Sequence, residues 1–422
     1  MVSFISAMEG IKSDLAVSVP DRLIESICGE LKITYRRRLL TPTVTTFLAL
    51  TRALHSASMS ELRHVSGFDV SAQAYCDGIG RLPVEFFARL QHAVAEECCW
   101  PRRPTQRWNG RRLFLIDGSA FSMPDTPELQ NAFGQHPAQK AGCGFPIAHL
   151  LVQFDADTGV ALRTIASTWR THDLTHAART HDALQPGDVL VGDRAFGSFS
   201  HLALLRMRGL HGVFRVHQRR ATGARRDRLV VYLKPAKPPK WISEAEYGTL
   251  PERILVREVT VRVRTPGRRV QRLTIATTLV DAAAFPVPMI ADMFATRWQA
   301  ETNLGYPKQT LKLDVLRSKS LNGVLKELHC ITIIYNLVRR VMIAAARRQR
   351  VAPRRISFVD ALRWLRRARP GDPLPNLIIN PHRPDRFEPR VRKRRPKSYP
   401  LMTKPRAVLK ATMISQANER LS

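Results

Sequence analysis

The chain has 422 residues with 67 Lys+Arg against 35 Asp+Glu, a formal net charge of +32 and an isoelectric point near 11.1. Such an excess binds polyanions through counterion release, which makes nucleic acid the default partner. A hydrophobic content of 44% over this length is enough for real cores in roughly two to four domains, and it argues against a purely structural basic scaffold.

Residues 1–105 read as a helical N-terminal domain for DNA binding or dimerisation, with amphipathic runs each preceded by a turn. Within it, Ser60-Glu61-Leu62 opens one helix, Gly67 makes a turn, and Ser71 caps a second helix through Ala74, Tyr75, Ile79 and Leu82. That is the layout of a helix-turn-helix, although any small helical hairpin gives the same apolar spacing.

From Gln106 to His217 the period shortens to that of strands. Leu113 to Asp117, Ile147 to Phe154 and Val160 to Ala166 read as strands, with Asp157-Thr158-Gly159 as the turn between the second and third. A helix over 174–184, a strand over 189–192, a helix over 200–208 and a strand over 212–216 follow. The expected α/β fold is a mixed sheet with helices packed on it, in the ribonuclease H-like order, with Asp117 and Asp193 at the ends of the first and fourth strands.

Residues 218–282 alternate Arg with Val between Pro and Gly clusters and predict a β-rich insertion, one face packed and the other presenting charge to a DNA backbone or to solvent. Trp241 in its loop is a base-stacking candidate with a structural indole as the plainer reading. Residues 283–350 resume the core with a helix starting after Pro286 and Pro288, on which Phe294, Arg297 and Glu301 share one stripe at offsets of 0, 3 and 7. Helix is also expected from Leu311 to about Arg348. Residues 351–422 read as a basic C-terminal tail, with eleven Lys/Arg between 381 and 410 against Asp385 and Glu388.

Asp117, Asp193 and Glu301 are isolated carboxylates delivered by three core elements. Such an arrangement suits a two-metal phosphodiester-cutting site, because ions about 4 Å apart clamp the attacking and leaving oxygens of an in-line displacement. Magnesium fits three acids, since it keeps part of its shell for water and phosphate.

These residues resemble the DDE transposases of the insertion sequence 4 family over most of residues 106–410. Three blocks bear the resemblance: Ile116-Asp117-Gly118-Ser119 with Pro124-Asp125-Thr126 downstream; Gly192-Asp193-Arg194-Ala195-Phe196-Gly197-Ser198; and the Tyr, Arg, Glu, Lys signature, here Phe294, Arg297, Glu301 and Lys308. They stand in order, with 76 residues between the aspartates (193 − 117) and 108 before the glutamate (301 − 193). The resemblance implies that Asp117, Asp193 and Glu301 hold two magnesium ions, for which manganese can substitute, and that Phe294, Arg297 and Lys308 belong to the DNA contact. It further implies cleavage at transposon ends, strand transfer into target DNA, and a dimer on paired terminal inverted repeats.

Phe294 stands where the family has Tyr. Gly305 and Pro307 lie between Glu301 and Lys308, where together they cost a helix interior roughly 4 kcal/mol relative to Ala. The helix is therefore expected to end or kink and to misplace Lys308, so a decayed DNA-binding copy is one alternative and a stand-alone ribonuclease H-like nuclease another.

Asp125 reads as a loop-ordering acid, and Asp155 and Asp157 as turn formers. His172, His176 and His181 admit a zinc reading, but no Cys or acid completes a tetrahedral set and a helix surface explains them. The six cysteines form no CxxC pair, no leader is evident, and the most apolar stretch, Cys330 to Ala346, is interrupted by Asn336, Arg339 and Arg340. A reduced, cytoplasmic, nucleoid-associated bacterial protein without a membrane span is expected.

Overall fold

The computed structural model describes residues 19–35, 39–99, 108–171, 173–216, 227–263, 271–313, 316–368, 372–381 and 402–419. Its N-terminal part is helical: α1 (Asp21–Glu30), α2 (Pro42–His55), α3 (Met59–Ser66), α4 (Ala72–Arg81) and α5 (Val84–Cys99). Local chemistry sets the boundaries. The Thr41 hydroxyl accepts from the Val44 amide ahead of Pro42, Ser58 and Glu61 close a reciprocal capping box, and Ser71 accepts from the Ala74 amide. Gly67 ends α3 at φ 65°, a left-handed conformation that glycine adopts without strain. The α3–α4 pair has the layout read from the sequence, opened by Ser58 instead of Ser60.

Next come β1 (Leu113–Ser122), α6 (Pro127–Phe133), β2 (Ile147–Asp155), β3 (Ala161–Thr168), α7 (Leu174–Ala177), β4 (Val189–Gly192), α8 (Phe199–Met207) and β5 (His211–Arg215). The helix expected over 174–184 is one α turn continued by a 3-10 run, Ala178–Ala183. β1, β2 and β3 are an antiparallel meander, while β4 runs parallel to β1 and β5 parallel to β4. Then follow β6 (Asp227–Leu233), α9 (Glu244–Gly248), β7 (Arg253–Val263) and β8 (Gln271–Thr277). All eight strands form one mixed sheet, in the order β3-β2-β1-β4-β5-β8-β7-β6.

The strand-rich segment is thus continuous with the core sheet, because β8 pairs antiparallel with β5 through Phe214 and Ala276. Arg253, Arg262 and Arg272 are exposed, but Arg257 does not join them on an outward face. Arg257 is 1% exposed, 2.6 Å from Asp227 and donating to the Phe285 carbonyl, while buried Glu258 accepts from Arg228 and Tyr232. The outward positions of β6 are instead Leu229, Val231 and Leu233. Arg257 and Glu258 are interior charges matched by Asp227, Arg228 and Tyr232, as a buried ion requires. Trp241 packs partly buried against the core.

After β8 come α10 (Val287–Ala295), α11 (Trp298–Gly305), a π-helical turn (Tyr306–Thr310), α12 (Leu321–Gln349), α13 (Phe358–Arg367) and α14 (Arg406–Glu419). α12 starts ten residues later than expected, at a Ser320 cap that accepts from the Gly323 amide. By length and composition it could cross a membrane, yet 78% of its apolar window is buried inside the protein. Its buried face meets α5, where Gln91 bonds His329, and meets β3, where the Asn336 amide pairs with both the N–H and the C=O of Ala161. α13 lies in the stretch expected to be a basic tail, but it buries Phe358, Ala361, Leu362 and Leu365 and belongs to the folded body. Most of the basic run, Arg383 to Lys397, lies outside the described residues.

Candidate active site

The site begins where two parallel strands part. β1 and β4 pair only over Leu113–Leu115 and Val189–Val191; β4 then ends at Gly192 while β1 continues along β2 to Ser122. Asp117 therefore sits inside β1, opposite Val152, and not at its end as the sequence suggested. Asp117 and Asp193 each follow the last pair, Leu115 with Val191, by two residues, Asp117 within β1 and Asp193 just past the end of β4. Gly192 leaves room for this turn: a Cβ there would lie 2.7 Å from Phe196 and 2.9 Å from Ile116.

Asp193 leads into a 3-10 turn, Arg194–Phe196, closed by the Phe196 amide donating to the Asp193 carbonyl. Fully buried His201 bonds the Phe196 carbonyl through Nδ1 (2.8 Å) and the Nε2 of His181 through its own Nε2 (3.0 Å). Burial lowers both imidazoles, His201 to about 4 and His181 to about 2. Both are therefore neutral histidines of the core, and His172 lies outside the described residues.

The third acid comes from the other side of the chain. Phe294 is buried near the end of α10, and Arg297 and Glu301 begin α11, so the three occupy two successive helices instead of one stripe. They stay in contact all the same. The Arg297 guanidinium lies 5.8 Å from the Phe294 ring centroid and 2.8 Å from Glu301 Oε1. Pro307 does not end the helix: the backbone widens into the π turn, and Lys308 Nζ donates to the Ser119 hydroxyl at 3.2 Å. Ser119 is two residues past Asp117, on the same face of β1.

Burial pushes the Asp117 carboxyl up to about 6, against the Gly118 amide and Arg297, which lower it, while Glu301 and Asp173 raise it. Asp117, Arg297 and Glu301 thus share one electrostatic environment. Among the described residues no three His, Cys, Asp or Glu side chains stand close enough together to hold a metal ion, and Glu301 is turned toward Arg297.

Sequence reading missed His149 and Asp173, which lie behind Asp117. A Cβ on Gly118 would fall 2.5 Å from Asp173 Oδ1 and 2.7 Å from the His149 ring. His149 Nε2 is 3.1 Å from that Oδ1, off hydrogen-bonding geometry. Only the β1–β2 register, which sets His149 against Ala120, would have pointed to it. The other acids behave as turn chemistry predicts: Asp125 accepts from Gln130, and Asp155 accepts from the Asp157 and Thr158 amides. All six cysteines are free thiols.

The sequence model of a family described as "Transposase DDE domain" matches residues 108–337, which include Asp117, Asp193 and Glu301. The chain is 27% identical over 331 residues to the transposase InsG of insertion sequence element IS4 from Escherichia coli K12, covering 71% of this chain and 72% of that protein. It is 25% identical over 132 residues to the putative transposase InsZ of the same organism, covering 31% and 43%. A cryo-EM structure of the piggyBac transposase synaptic complex with hairpin DNA superposes with a TM-score of 0.46 at 10% identity, over 84% of this chain and 78% of that one.

Proposed function

Because the chain belongs to the transposase DDE domain family, we propose that it cuts DNA at the ends of a mobile element and joins them to target DNA, with Asp117, Asp193 and Glu301 as the catalytic acids. The observation that supports this reading is that Arg297 and Glu301 act on Asp117 while Lys308 bonds Ser119 on the same strand. In this reading strands β1 to β5 are a ribonuclease H-like core, and β6 to β8 are its insertion.

The donor set suits hard divalent cations. Asp117 sits in a desolvated wall, and burial, with a smaller contribution from Glu301 and Asp173, raises its carboxyl against Arg297. Two magnesium ions, or manganese, held by Asp117, Asp193 and Glu301 would stabilise charge on the attacking and leaving oxygens. Arg297 holds Glu301 until a DNA phosphate competes for its guanidinium, and the Phe294 ring limits how far that guanidinium swings. Lys308, anchored at Ser119, supplies a fixed positive charge for a phosphate on the same face. The net charge of +32 serves both terminal inverted repeats and target DNA, and a homodimer on paired ends in the bacterial cytoplasm completes the proposal.

Incubating the protein with magnesium or manganese and a plasmid carrying the DNA that flanks its gene tests the reading. Asp117→Asn, Asp193→Asn and Glu301→Gln are each expected to abolish cleavage while DNA affinity stays near wild type, since affinity comes from the surrounding cations. Cleavage at the wild-type rate by a folded variant removes that residue from the site. Lys308 bonds Ser119 despite Pro307, which favours this reading over a decayed copy.

A further inference from the structure

Lys308 is presented by the least regular backbone near the site, and what holds that backbone is aromatic. The Tyr306 ring stacks on Phe358 of α13 with centroids 4.2 Å apart and planes at 10°. Phe358, 1% exposed, stacks in turn on Tyr335 of α12 at 5.7 Å. Tyr335 meets Phe154 of β2 edge-on at 6.1 Å and donates its hydroxyl to the Gly159 carbonyl at 2.6 Å. Four rings thus run from the core sheet through two helices to the π turn. Pro307 is buried beside them, and its carbonyl accepts from the Leu313 amide.

A π turn is an uncommon local state, and a proline within it offers no amide to the ladder, so few bonds of its own hold it, the Leu311 amide to the Tyr306 carbonyl among them. The aromatic stack is placed to add to that hold. We infer that Tyr306 and Phe358 are positioning residues for Lys308: the C-terminal helix α13, 50 residues downstream (358 − 308), sets where that ammonium stands on the active face. This inference rests on the reading of Lys308 as a phosphate contact.

The test is a double-mutant cycle in the full chain. Cleavage of the flanking-DNA plasmid, and the salt dependence of binding to a short duplex from it, are measured for Tyr306→Leu, Phe358→Leu and Lys308→Ala, singly and combined, with Tyr306→Phe as the conservative control and a thermal melt of each. Losing the stack is expected to lower cleavage about tenfold and to reduce the slope of log affinity against log salt by about 1. Neither effect should add to that of Lys308→Ala, and Tyr306→Phe should keep wild-type values. Full additivity with Lys308→Ala, or a folded Tyr306→Leu with wild-type cleavage and slope, overturns the inference. If Phe358→Leu fails to fold, the half-buried Tyr306 decides alone. A wild-type protein that binds but never cuts sinks the functional reading, and the salt slopes then decide this one.

Discussion

Asp117 is an acid kept where water is scarce, and that sets the sign of its effect on stability. Its folded pKa, about 6, lies above the ordinary value of 3.8, mainly through burial. Between those two values the unfolded chain loses the proton first, so folding is progressively disfavoured as pH rises from about 4 to about 6 and stays so above. Asp117→Asn should therefore stabilise the metal-free protein at pH 8, by up to about 3 kcal/mol from the roughly two-unit shift, with the gain vanishing near pH 4; urea melts at both values measure it. An equal gain at pH 4 would mean that charge burial is not the cause. The sequence pointed to Asp117 and Asp193 through the short apolar runs they follow, and to Glu301 through its spacing from Phe294 and Arg297. His149 and Asp173 were not, since a lone His and a lone Asp acquire meaning only when the sheet register brings them behind Gly118.

At the scale of elements, propensity misjudged the segment Gly305–Lys308. A rule that charges glycine and proline for interrupting an α-helix does not consider the π turn, in which a buried Pro307 continues the chain. Gly305 is helical at φ −62°, and a Cβ added there meets nothing within 4 Å. Gly305→Ala is accordingly expected to raise stability by up to about 1 kcal/mol and to leave cleavage unchanged, read from urea melts beside the plasmid assay; lost cleavage would show that the turn needs glycine's freedom. Strands were more legible than helices here. β1, β2 and β4 are apolar runs bounded by turn residues, whereas the split of α10 from α11 leaves no break in the apolar stripe, and α13, an amphipathic run with three arginines in ten residues, was absorbed into the basic region around it. Period-2 alternation in β7 marked a strand correctly but misassigned its arginine, because spacing alone does not reveal that Asp227 waits beside Arg257.

At the scale of the molecule, the helical N-terminal segment and the C-terminal half share one core. Phe47, Phe86, Phe87 and Leu90 are fully buried, and α2 and α5 both pack on α12. A fragment of residues 1–105 should consequently melt without a cooperative transition, by circular dichroism, while the full chain melts cooperatively; a sharp transition in the fragment would establish an independent domain. The sequence suggested such a domain because its period changes near residue 106, and a change of period does not disclose which later helix will cover an apolar face.

The docking of α5 on α12 also has a temporal side. Residue 99 leaves the ribosome roughly 250 residues before the end of α12 (349 − 99), and at 5–20 residues per second that is an interval of about 13 to 50 seconds. Throughout it α2 and α5 lack the long helix that completes their cover, with only the other N-terminal helices and later β3 to pack on. A nascent chain of this protein is therefore a sustained client for whatever shields apolar surface during synthesis, and its yield should depend on translation speed across residues 100–349 more than on the stability of the finished fold.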